Sequence, residues 1–410
     1  MSSLRRVAVT GIGVVSALGR GREATLRAAH AGASGIRTIS RVNAAEFLCR
    51  VAGEVPAGAI DDAPADRDRF TRFALVAAEE AVAQARLENA IPSERIGTLI
   101  GTGLGGSETL DGGYERLYRN GNQRFHPMSI PKAMYNAAAS AVAARFNALG
   151  PSLCTVSACA SATHAIGQAA LWIQHGLADA VIAGGADAPI VPGIVRAWEA
   201  LRVLARGGDA PEAACRPFSA DRTGLVLAEG AGIFVLEALD LAIARRQPIV
   251  GEILGCGFSS DGGHVTDPSP AGAARAMRTA LDQAGLTPAD VEYINAHGTG
   301  TTANDLSETA AIKELFGDHA YRIPVSSTKA MHGHAMGASG AIELAITLLA
   351  LNDGILPPTI NFSGGDPDCD LDYVPNQARG TSAHLFLSNS FGFGGMNAVL
   401  AARAGLEAGG

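Results

Sequence analysis

The sequence predicts a layered α/β protein, and three observations carry that prediction. Short runs of apolar, often β-branched residues alternate with longer Ala-rich stretches along the whole chain. The short runs are apolar on both faces, as is typical of strands that helices cover on either side of a sheet. Hydrophobic residues make up 47% of the 410 residues and charged residues only 18%, so the chain can bury a large core.

Strands and helices follow from these patterns in chain order. The predicted strands cover residues 6–10, 98–100, 153–156, 180–183, 233–236, 249–254, 291–295, 324–326, 385–388 and 398–401. The predicted helices cover residues 67–86, 132–147, 161–175, 239–245, 273–284, 306–316 and 338–351. Residues 104–131 contain several Gly and charged residues and few regular signals, so we expect a long loop there.

One predicted helix belongs in the interior of the protein. Residues 161–175 (SATHAIGQAALWIQH) are small or apolar on almost every side, whereas a surface helix carries a polar face. Gly176 follows as a natural C-terminal stop. We therefore expect this helix to lie between two layers, where its small residues permit close approach to its neighbours.

Two short segments with a similar pattern indicate that the chain has two parts. VAVTGIGVVSALG, from residue 7, and GEILGCGFSSDGG, from residue 251, each contain an apolar strand, a Gly-x-Gly pair and a following Ser and Gly. Each segment opens a stretch of alternating strands and helices, and no linker rich in Pro, Ser or charge separates the two. We predict two similar halves, residues 1–248 and 249–410, fused through one core.

Composition argues against several classes of protein. A formal net charge of −8 is unsuited to a broad nucleic-acid-binding surface. No stretch reaches the roughly 18 consecutive apolar residues that a membrane span needs. Thr10, Gly11 and Gly13 interrupt the first apolar stretch, which indicates a strand rather than a signal peptide. The six cysteines include no CxxC pair and form no disulfide pattern. We expect a cytoplasmic protein with no nucleic-acid and no membrane partner.

The segment SLCTVSACASATHAIG carries the strongest chemical signal. In it a predicted strand leads through small residues to Cys159 and then to the interior helix. A thiol at such a turn lies near the positive end of a helix dipole, which favours the nucleophilic thiolate. Ala158 and Ala160 leave access for a substrate. The alternative is a buried and inert cysteine, the usual fate of a free thiol.

Two histidines follow predicted strands in the second half. INAHGTGTTANDLSE places His297 in a loop rich in Gly and Thr, and SSTKAMHGHAMGASG places Lys329 and His334 in another loop. A lone loop histidine is usually an ordinary surface residue, but two at strand ends indicate one site, because ligands of α/β sheets bind there. LSNSFGFGGMN is a further strand with a Gly-rich turn, whose amides could form an oxyanion hole.

Other catalytic and binding motifs fit less well. Gly11 and Gly13 do not complete a dinucleotide-binding fingerprint, because Ser16 stands at the third position. The sequence contains neither a Walker A loop nor a GxSxG serine elbow. His332 and His334 form an HxH pair with no evident third ligand in the sequence nearby, so we predict no metal.

An acidic pair accompanies the first histidine loop. Asp305 and Glu308 lie three residues apart on one face of a predicted helix. They are either a solvated helical face or a support for the site, in which Glu308 holds Lys329 by charge.

Taken together and in this order, these segments resemble the β-ketoacyl-[acyl carrier protein] synthase family of the thiolase-like superfamily, closest to its synthase II type. The matching pieces are VAVTGIGVVSALG, VSACAS, AHGTGT, SSTKAMHGH, PPTIN and NSFGFGG, and they span essentially the whole chain. The resemblance implies a thiolase fold, in which two similar halves form a five-layered αβαβα core with the active site between them. It also implies a dimer, and an acyltransferase whose substrates arrive on acyl carrier protein (ACP) without a further cofactor.

The resemblance implies a role for each catalytic residue. Cys159 would accept an acyl chain as a thioester. His297 and His334 would stabilise the enolate that forms when malonyl-ACP loses carbon dioxide, and the enolate carbon would attack the Cys159 thioester. Lys329 and Glu308, with Asp305 nearby, resemble the groups that hold the histidine loops in place.

Further residues match the family's substrate contacts. The backbone N–H groups of Cys159 and Phe393 are candidates for the oxyanion hole, and Phe393 also matches a gating phenylalanine. Thr299 and Thr301 match threonines that hydrogen-bond the pantetheine arm, and Leu104 stands where the family's acyl pocket is closed or extended. Because ACP is acidic, a basic entrance is expected. Its candidates are Arg67, Arg69, Arg72, Arg124 and Arg202, which alternatively only solvate helices and loops.

The resemblance leaves the pathway open. Intact Cys159 with both histidines favours an active elongating synthase over a chain-length factor, which lacks the cysteine, and over a thiolase, which uses a second cysteine. The stretch after Phe125 and the residues Trp198 and Glu199 depart from the family pattern, which puts the shape of the acyl pocket in doubt. The chain is therefore either a synthase of fatty acid synthesis or a specialised type II polyketide or polyene ketosynthase. Its partner in the dimer is then a second copy or a related chain-length-factor subunit.

Overall fold

The structure is a computed structural model that describes residues 4–121 and 124–406. Its strands are β1 (Val7–Ser16), β2 (Gly19–Arg20), β3 (Arg37–Thr38), β4 (Val51–Ala52), β5 (Ile96–Gly101), β6 (Ser152–Thr155), β7 (Ala180–Asp187), β8 (Gly230–Ala238), β9 (Gly251–Ser260), β10 (Tyr293–Asn295), β11 (Val325–Ser326), β12 (Ile355–Leu356), β13 (Arg379–Gly380), β14 (Leu385–Gly392) and β15 (Met396–Ala404). Its α-helices are α1 (Arg22–Ala31), α2 (Arg69–Ala85), α3 (Ser107–Tyr118), α4 (Ser129–Ala133), α5 (Ala137–Arg145), α6 (Ser161–Gln174), α7 (Pro192–Ala200), α8 (Leu239–Ala244), α9 (Pro270–Ala284), α10 (Thr302–Phe316), α11 (Lys329–His332) and α12 (Ser339–Asn352).

Ten of the eleven strands of the main sheet form two five-stranded groups with the same topology, and β2 pairs with β1 beside them. The first group runs in the order β6, β5, β7, β8, β1, and the second in the order β11, β10, β14, β15, β9. In each group the strand that comes fourth in space is antiparallel to both of its neighbours, while the first three are parallel. A short antiparallel pairing of β1 with β9 joins the groups. The division predicted at residues 248 and 249 falls between α8 and β9.

Helices cover both groups and also separate them, which gives five layers. α2 and α5 pack on the outer side of the first group, and α9 and α10 lie on the outer side of the second. Between the groups lie α6 and α12, which touch each other and strands of both groups. Both central helices are almost entirely buried, as their lack of a polar face predicts. The layered α/β prediction and the interior position of α6 are confirmed.

The paired Gly-x-Gly segments serve helix packing in both halves. A Cβ atom at Gly13 would lie 1.8 Å from a backbone oxygen of α2, and one at Gly257 would lie 1.9 Å from a backbone oxygen of α9. Gly11 and Gly255 meet the same two helices at 2.1 and 2.4 Å. The two similar segments in the sequence therefore form equivalent strand–helix contacts in the two halves.

Two predicted local structures are wrong. The expected loop at residues 104–131 contains α3 and the start of α4, and the sequence conceals α3 because Gly112 and Gly113 lower helix propensity. Gly113 is required there, since a Cβ atom would lie 2.4 Å from the ring of Phe125. The helix predicted at 132–147 is broken after Ala133, whose carbonyl accepts the N–H of Gly106.

No helix in the described part of the chain is long and apolar enough to cross a bilayer.

Candidate active site

Cys159 lies at a tight turn between β6 and α6. Ala158 adopts a left-handed conformation with φ 49°, which is unusual for a residue with a side chain and marks local strain. Ser161, the first residue of α6, holds the turn, because its hydroxyl donates to the carbonyl of Ala158 at 2.7 Å and accepts the N–H of Ser157 at 2.9 Å. The turn presents the Cys159 thiol at the base of a cavity with only 6% of the residue exposed.

The two predicted histidines share this cavity with Cys159. His297 follows β10 and His334 follows α11, behind the neighbouring parallel strand β11. The Nε2 atom of His334 lies 3.1 Å from the Cys159 sulfur, and the two imidazole rings are 5.4 Å apart between centroids. One ligand atom from each of the three residues lies within 4.8 Å of the others. Side chains from the two halves thus meet in one cavity of about 220 Å³.

The three groups are uncharged in the free protein. Burial raises the pKa of Cys159 to about 11, although the charge of Lys329 and the backbone N–H of Phe393 act against the rise. Burial, and then the charge of Lys329, holds the pKa values of His297 and His334 well below their usual 6.5. Desolvation thus acts against the thiolate that the helix dipole favours.

Lys329 orients His297 and pairs with a residue that the sequence analysis missed. Its Nζ atom lies 3.2 Å from Nδ1 of His297 and donates to the carbonyl of the same residue. An ammonium group has no acceptor, so Nδ1 must accept, and the His297 proton resides on Nε2. The charge of Lys329 is met by Glu343 of α12 at 2.5 Å, with both side chains fully buried.

The predicted charge contact between Lys329 and Glu308 is therefore wrong. Glu308 instead accepts the backbone N–H groups of His297 and Gly298, each at 2.8 Å, and the amide of Asn389 at 3.1 Å. Burial raises its pKa to about 7 despite these donors. Glu308 fixes the backbone of the first histidine loop, and the pattern of charges in the sequence could not distinguish it from Glu343.

Asp305 supports the same loop from the first turn of α10. Its carboxylate accepts the N–H of Gly300 at 3.2 Å and the N–H of Phe218 at 2.8 Å, and Arg222 lies 3.6 Å away. The acidic pair on this helix is fully buried, so the alternative of a solvated face is excluded.

His334 is held by its backbone and by its second ring nitrogen. Its N–H donates to the carbonyl of Val226 at 2.7 Å, and its carbonyl accepts the N–H of Ala228 at 2.9 Å. Nδ1 lies 2.8 Å from the hydroxyl of Ser339, at the start of α12. This serine orients the imidazole, so that Nε2 faces the sulfur of Cys159.

Backbone amides surround the sulfur of Cys159. The backbone N–H groups of Phe393 and of Cys159 itself lie near the sulfur and lower the pKa of the thiol. Gly392 permits this approach, because a Cβ atom there would lie 3.2 Å from the backbone nitrogen of Cys159. The Phe393 ring stacks on Trp198 with 5.6 Å between centroids. Donors in this position can stabilise a negative oxygen that forms on a carbonyl attached to the sulfur.

The predicted substrate-contacting residues fall into two groups. Thr299 and Thr301 line the cavity with their hydroxyl groups 2.8 Å apart, where a polar chain can reach them. Leu104 is not among the described residues that line this cavity and packs instead within an apolar cluster beside it.

Asp187, at the end of β7, was also missed by the sequence analysis. This fully buried carboxylate accepts the N–H groups of Gly103, Leu104 and Gly337 at 2.7, 3.1 and 2.7 Å. It ties the loop after β5 to the turn that follows His334. An acidic residue directly after the apolar run of β7 was the signal that could have identified it. Burial raises its pKa to about 6.

The five arginines proposed for carrier docking do not form one exposed surface. Arg67, Arg124 and Arg202 are exposed. Arg69 is bound through two nitrogens, at 2.8 and 2.6 Å, to the fully buried Glu229. Arg72 is half-buried and donates to the carbonyl of Ile60. The structure contradicts a docking role for Arg69 and Arg72, because their guanidinium groups already hold the interior of the first half.

The HxH pair does not act as a unit in the structure. His332 turns to the hydroxyl of Thr328 at 3.2 Å, whereas His334 faces Cys159 and His297. A thiolate and two imidazoles are ligands that suit zinc. The Nδ1 atom of each histidine is already hydrogen-bonded, that of His297 to Lys329 and that of His334 to Ser339. The absence of a metal and of a cofactor stays a prediction.

Comparison with known proteins identifies the family to which the chain belongs. The family model described as "Beta-ketoacyl synthase, N-terminal domain" matches residues 4–242, and "Beta-ketoacyl synthase, C-terminal domain" matches residues 250–363. The chain is 44% identical over 405 residues to a "3-oxoacyl-[acyl-carrier-protein] synthase 2" of Synechocystis, with 97% of either chain covered. It is 45% identical to "Nodulation protein E" of a Rhizobium species, with 97% of this chain and 99% of that protein covered.

Solved structures share the fold over the whole length of the chain. "The ishigamide ketosynthase/chain length factor" superposes with a TM-score of 0.93 at 35% identity, with 98% of this chain and 100% of that one covered. A type II polyketide synthase acyl-carrier protein in complex with its ketosynthase gives a TM-score of 0.92 at 34% identity, with coverage of 98% and 100%. The chain belongs to the β-ketoacyl synthase family, with the thiolase fold, and is a condensing enzyme of the acyltransferase class.

Proposed function

We propose that the protein extends acyl chains by two carbons, with acyl and malonyl groups supplied on ACP. The observation that carries this proposal is the position of the Cys159 sulfur 3.1 Å from His334 Nε2, in the cavity that also contains His297. In the first step the thiol attacks the acyl thioester, the bond to the carrier sulfur breaks, and the departing carrier thiolate takes up the proton that the Cys159 thiol loses. Cys159 then carries the acyl chain.

The second step forms the carbon–carbon bond. The malonyl thioester loses carbon dioxide, and the electron pair of the broken bond moves to the thioester oxygen as an enolate. The N–H groups of His297 and His334 donate to that oxygen. The enolate carbon attacks the Cys159 thioester, the N–H groups of Cys159 and Phe393 stabilise the tetrahedral oxyanion, and the sulfur leaves as a thiolate that takes up one proton from solvent. β-Ketoacyl-ACP is the product.

The histidine roles can be tested separately from acylation. His297→Ala is expected to lower the release of carbon dioxide from malonyl-ACP by about 10²–10³-fold, the usual effect of removing one oxyanion donor. Acylation of Cys159 should fall much less, because His297 Nδ1 contacts Lys329 rather than the sulfur. Carbon dioxide release and the mass of the acyl-enzyme are the two measurements. Equal loss of both activities in this variant would exclude the enolate role.

For the docking of ACP we propose the exposed arginines Arg124 and Arg202. ACP is acidic, and the ACP complex of a similar ketosynthase supports a carrier as partner. Reversal of charge at both positions should raise the KM for acyl-ACP. Arg69→Glu is the matched comparison, and it should destabilise the protein by about 3–5 kcal/mol, because a second carboxylate would face the buried Glu229, whose one remaining ion pair among the described residues is with Arg41 at 3.8 Å. An unchanged KM in the double variant would exclude this docking surface.

We propose further that the protein pairs with a related subunit or a second copy through β6. This strand ends the sheet order, and its outer edge has no strand partner among the described residues. Leu153 on this strand and Val156 just after it are exposed apolar side chains, and so is Tyr135, whose carbonyl lies 3.2 Å from the sulfur of Cys154 in β6. An open edge with such a patch is a template for pairing. The ishigamide ketosynthase with its chain length factor supports a heterodimer as the alternative to a homodimer.

Substitution at β6 tests this interface. Leu153→Asp should shift the sedimentation coefficient toward that of a monomer, because the aspartate would be buried without a partner. A sedimentation coefficient that does not change would contradict pairing through β6.

A further inference from the structure

The cavity that contains Cys159 has two chemically different walls. Thr299, Thr301 and Asn304 lie on one side and suit the polar arm of a carrier. The other side is apolar and includes Trp198, a residue of α7. An acyl chain bound to the sulfur has to lie against the apolar wall, because burial of its methylene groups there is favourable.

The indole of Trp198 forms the boundary of this apolar side. On one side it stacks on Phe393, the residue beside the sulfur, at 5.6 Å and an interplanar angle of 23°. On its other side it packs against an apolar cluster that includes Phe47, Leu104 and Ile190. None of those three residues is among the described residues that line the cavity. Val203 and Leu225 of the same cluster do line the cavity, so the indole separates the cavity only from the part of the cluster that contains those three residues.

Glu199 holds the end of α7 and with it the indole. Its side chain is 7% exposed, and Oε1 accepts the N–H groups of Leu48 and Cys49 at 2.6 and 2.9 Å. Oε2 pairs with Arg196 at 3.0 Å, and the guanidinium of Arg196 lies 4.5 Å from the centre of the Phe47 ring. The last turn of α7 is thus fastened to residues 47–49. Trp198 and Glu199, the two residues that depart from the family pattern, therefore act together, because Glu199 fastens the turn that carries the Trp198 indole.

We propose that Trp198 sets the upper limit on the length of the acyl chain that Cys159 accepts, and that Glu199 is the positioning residue for the indole. This inference rests on the proposed acylation of Cys159. The cavity of about 220 Å³ also has to admit the arm of the carrier, so only short acyl chains fit while the indole is in place. Removal of the indole joins the cavity to the part of the cluster behind it, and an apolar hole on the order of 150 Å³ already holds a benzene ring.

The test is the rate at which Cys159 is acylated by a series of acyl-ACPs, from acetyl to palmitoyl, followed by intact-protein mass spectrometry. Trp198→Ala is expected to raise the ratio of the rate constants for decanoyl over butyryl chains by about tenfold or more. Trp198→Phe should raise it less, and it also covers the case in which the alanine variant fails to fold. Glu199→Ala, which frees the turn but keeps the indole, should give a smaller rise than Trp198→Ala.

Ile190→Ala is the matched control. It opens space in the same cluster behind the indole, and should leave the chain-length ratio as in the unmodified protein. A similar rise in Ile190→Ala and Trp198→Ala, or no rise in either Trp198 variant, would overturn the role of the indole. If the unmodified protein accepts no acyl chain from any carrier, the proposed function fails instead, so the two failures are distinguishable.

Discussion

At the scale of single residues, the nucleophile Cys159 is a neutral thiol in the free protein. The pKa of Cys159 lies at about 11 because the sulfur is desolvated, and the adjacent imidazoles have pKa values well below 6.5. Near neutral pH both histidines are therefore uncharged and retain an N–H group to donate. Decarboxylation needs such donors, whereas an imidazolium beside a thiolate would leave the nucleophile in its charged form before the substrate arrives.

Alkylation of Cys159 by iodoacetamide should therefore rise with pH without an early plateau. The pKa in the folded protein is above the ordinary value of 9.0, so the thiolate fraction grows about tenfold per pH unit through the neutral and mildly alkaline range. Peptide mapping after timed alkylation measures the rate at this cysteine, and the Cys159→Ala variant identifies the signal. A plateau below pH 8 would show a thiolate–imidazolium pair and contradict the neutral site.

The side chains that meet at the cavity could be predicted from the sequence, but their supporting contacts could not. Cys159, His297, His334 and Lys329 stand in short motifs at strand ends, where local pattern suffices. The partner of Lys329 is Glu343, in the middle of an apolar helix. That pairing depends on how α11 packs against α12, which no local pattern contains.

Lys329→Met should destabilise the protein by about 3–5 kcal/mol, because Glu343 would stay buried without a counter-charge. The double variant Lys329→Met/Glu343→Leu should recover most of that stability. It should not recover malonyl-ACP decarboxylation, since His297 Nδ1 still lacks its donor. Denaturant unfolding and carbon dioxide release are the measurements. A double variant that is as unstable as the single one, or fully active, would contradict the assigned roles.

At the scale of elements, the contact of a helix with a glycine pair shapes each half. β1 meets α2 and β9 meets α9 through Gly-x-Gly segments that leave no room for a Cβ atom. The sequence showed the two similar segments and excluded a dinucleotide-binding fingerprint. Why glycine is needed at these positions became clear only from the helices that pack against them. The same limit applies to Arg69, where a surface role was predicted and the ion pair with Glu229 was found.

Gly257→Ala should lower the free energy of unfolding by about 1–3 kcal/mol, as overpacking of a close contact does. Its Cβ atom would lie 1.9 Å from a backbone oxygen of α9, so the helix would have to shift. Gly263→Ala is the control, because a Cβ atom there would meet nothing within 4 Å. Urea unfolding compares the two variants. Equal stability of both would mean that the helix yields freely and that the contact is not required.

At the scale of the whole molecule, the duplication explains where the site lies. Two groups of strands with one topology face each other across α6 and α12, so that the cysteine of one half meets the histidines of the other. The alternation of strands and helices predicted the layers, and the recurring motif predicted two halves. Sequence patterns alone could not give the pairing of β1 with β9, or the helices between residues 104 and 131, because distant contacts determine both.

The central claim, that this cavity transfers an acyl chain to Cys159 and then to a malonyl-derived carbon, has a direct test. Purified protein is incubated with acyl-ACP and then with malonyl-ACP, and its intact mass is followed throughout. We predict an acyl adduct on the unmodified protein, located at Cys159 and discharged as β-ketoacyl-ACP appears, and no adduct on Cys159→Ala. An adduct that also forms on Cys159→Ala, or one that malonyl-ACP never discharges, would contradict the account.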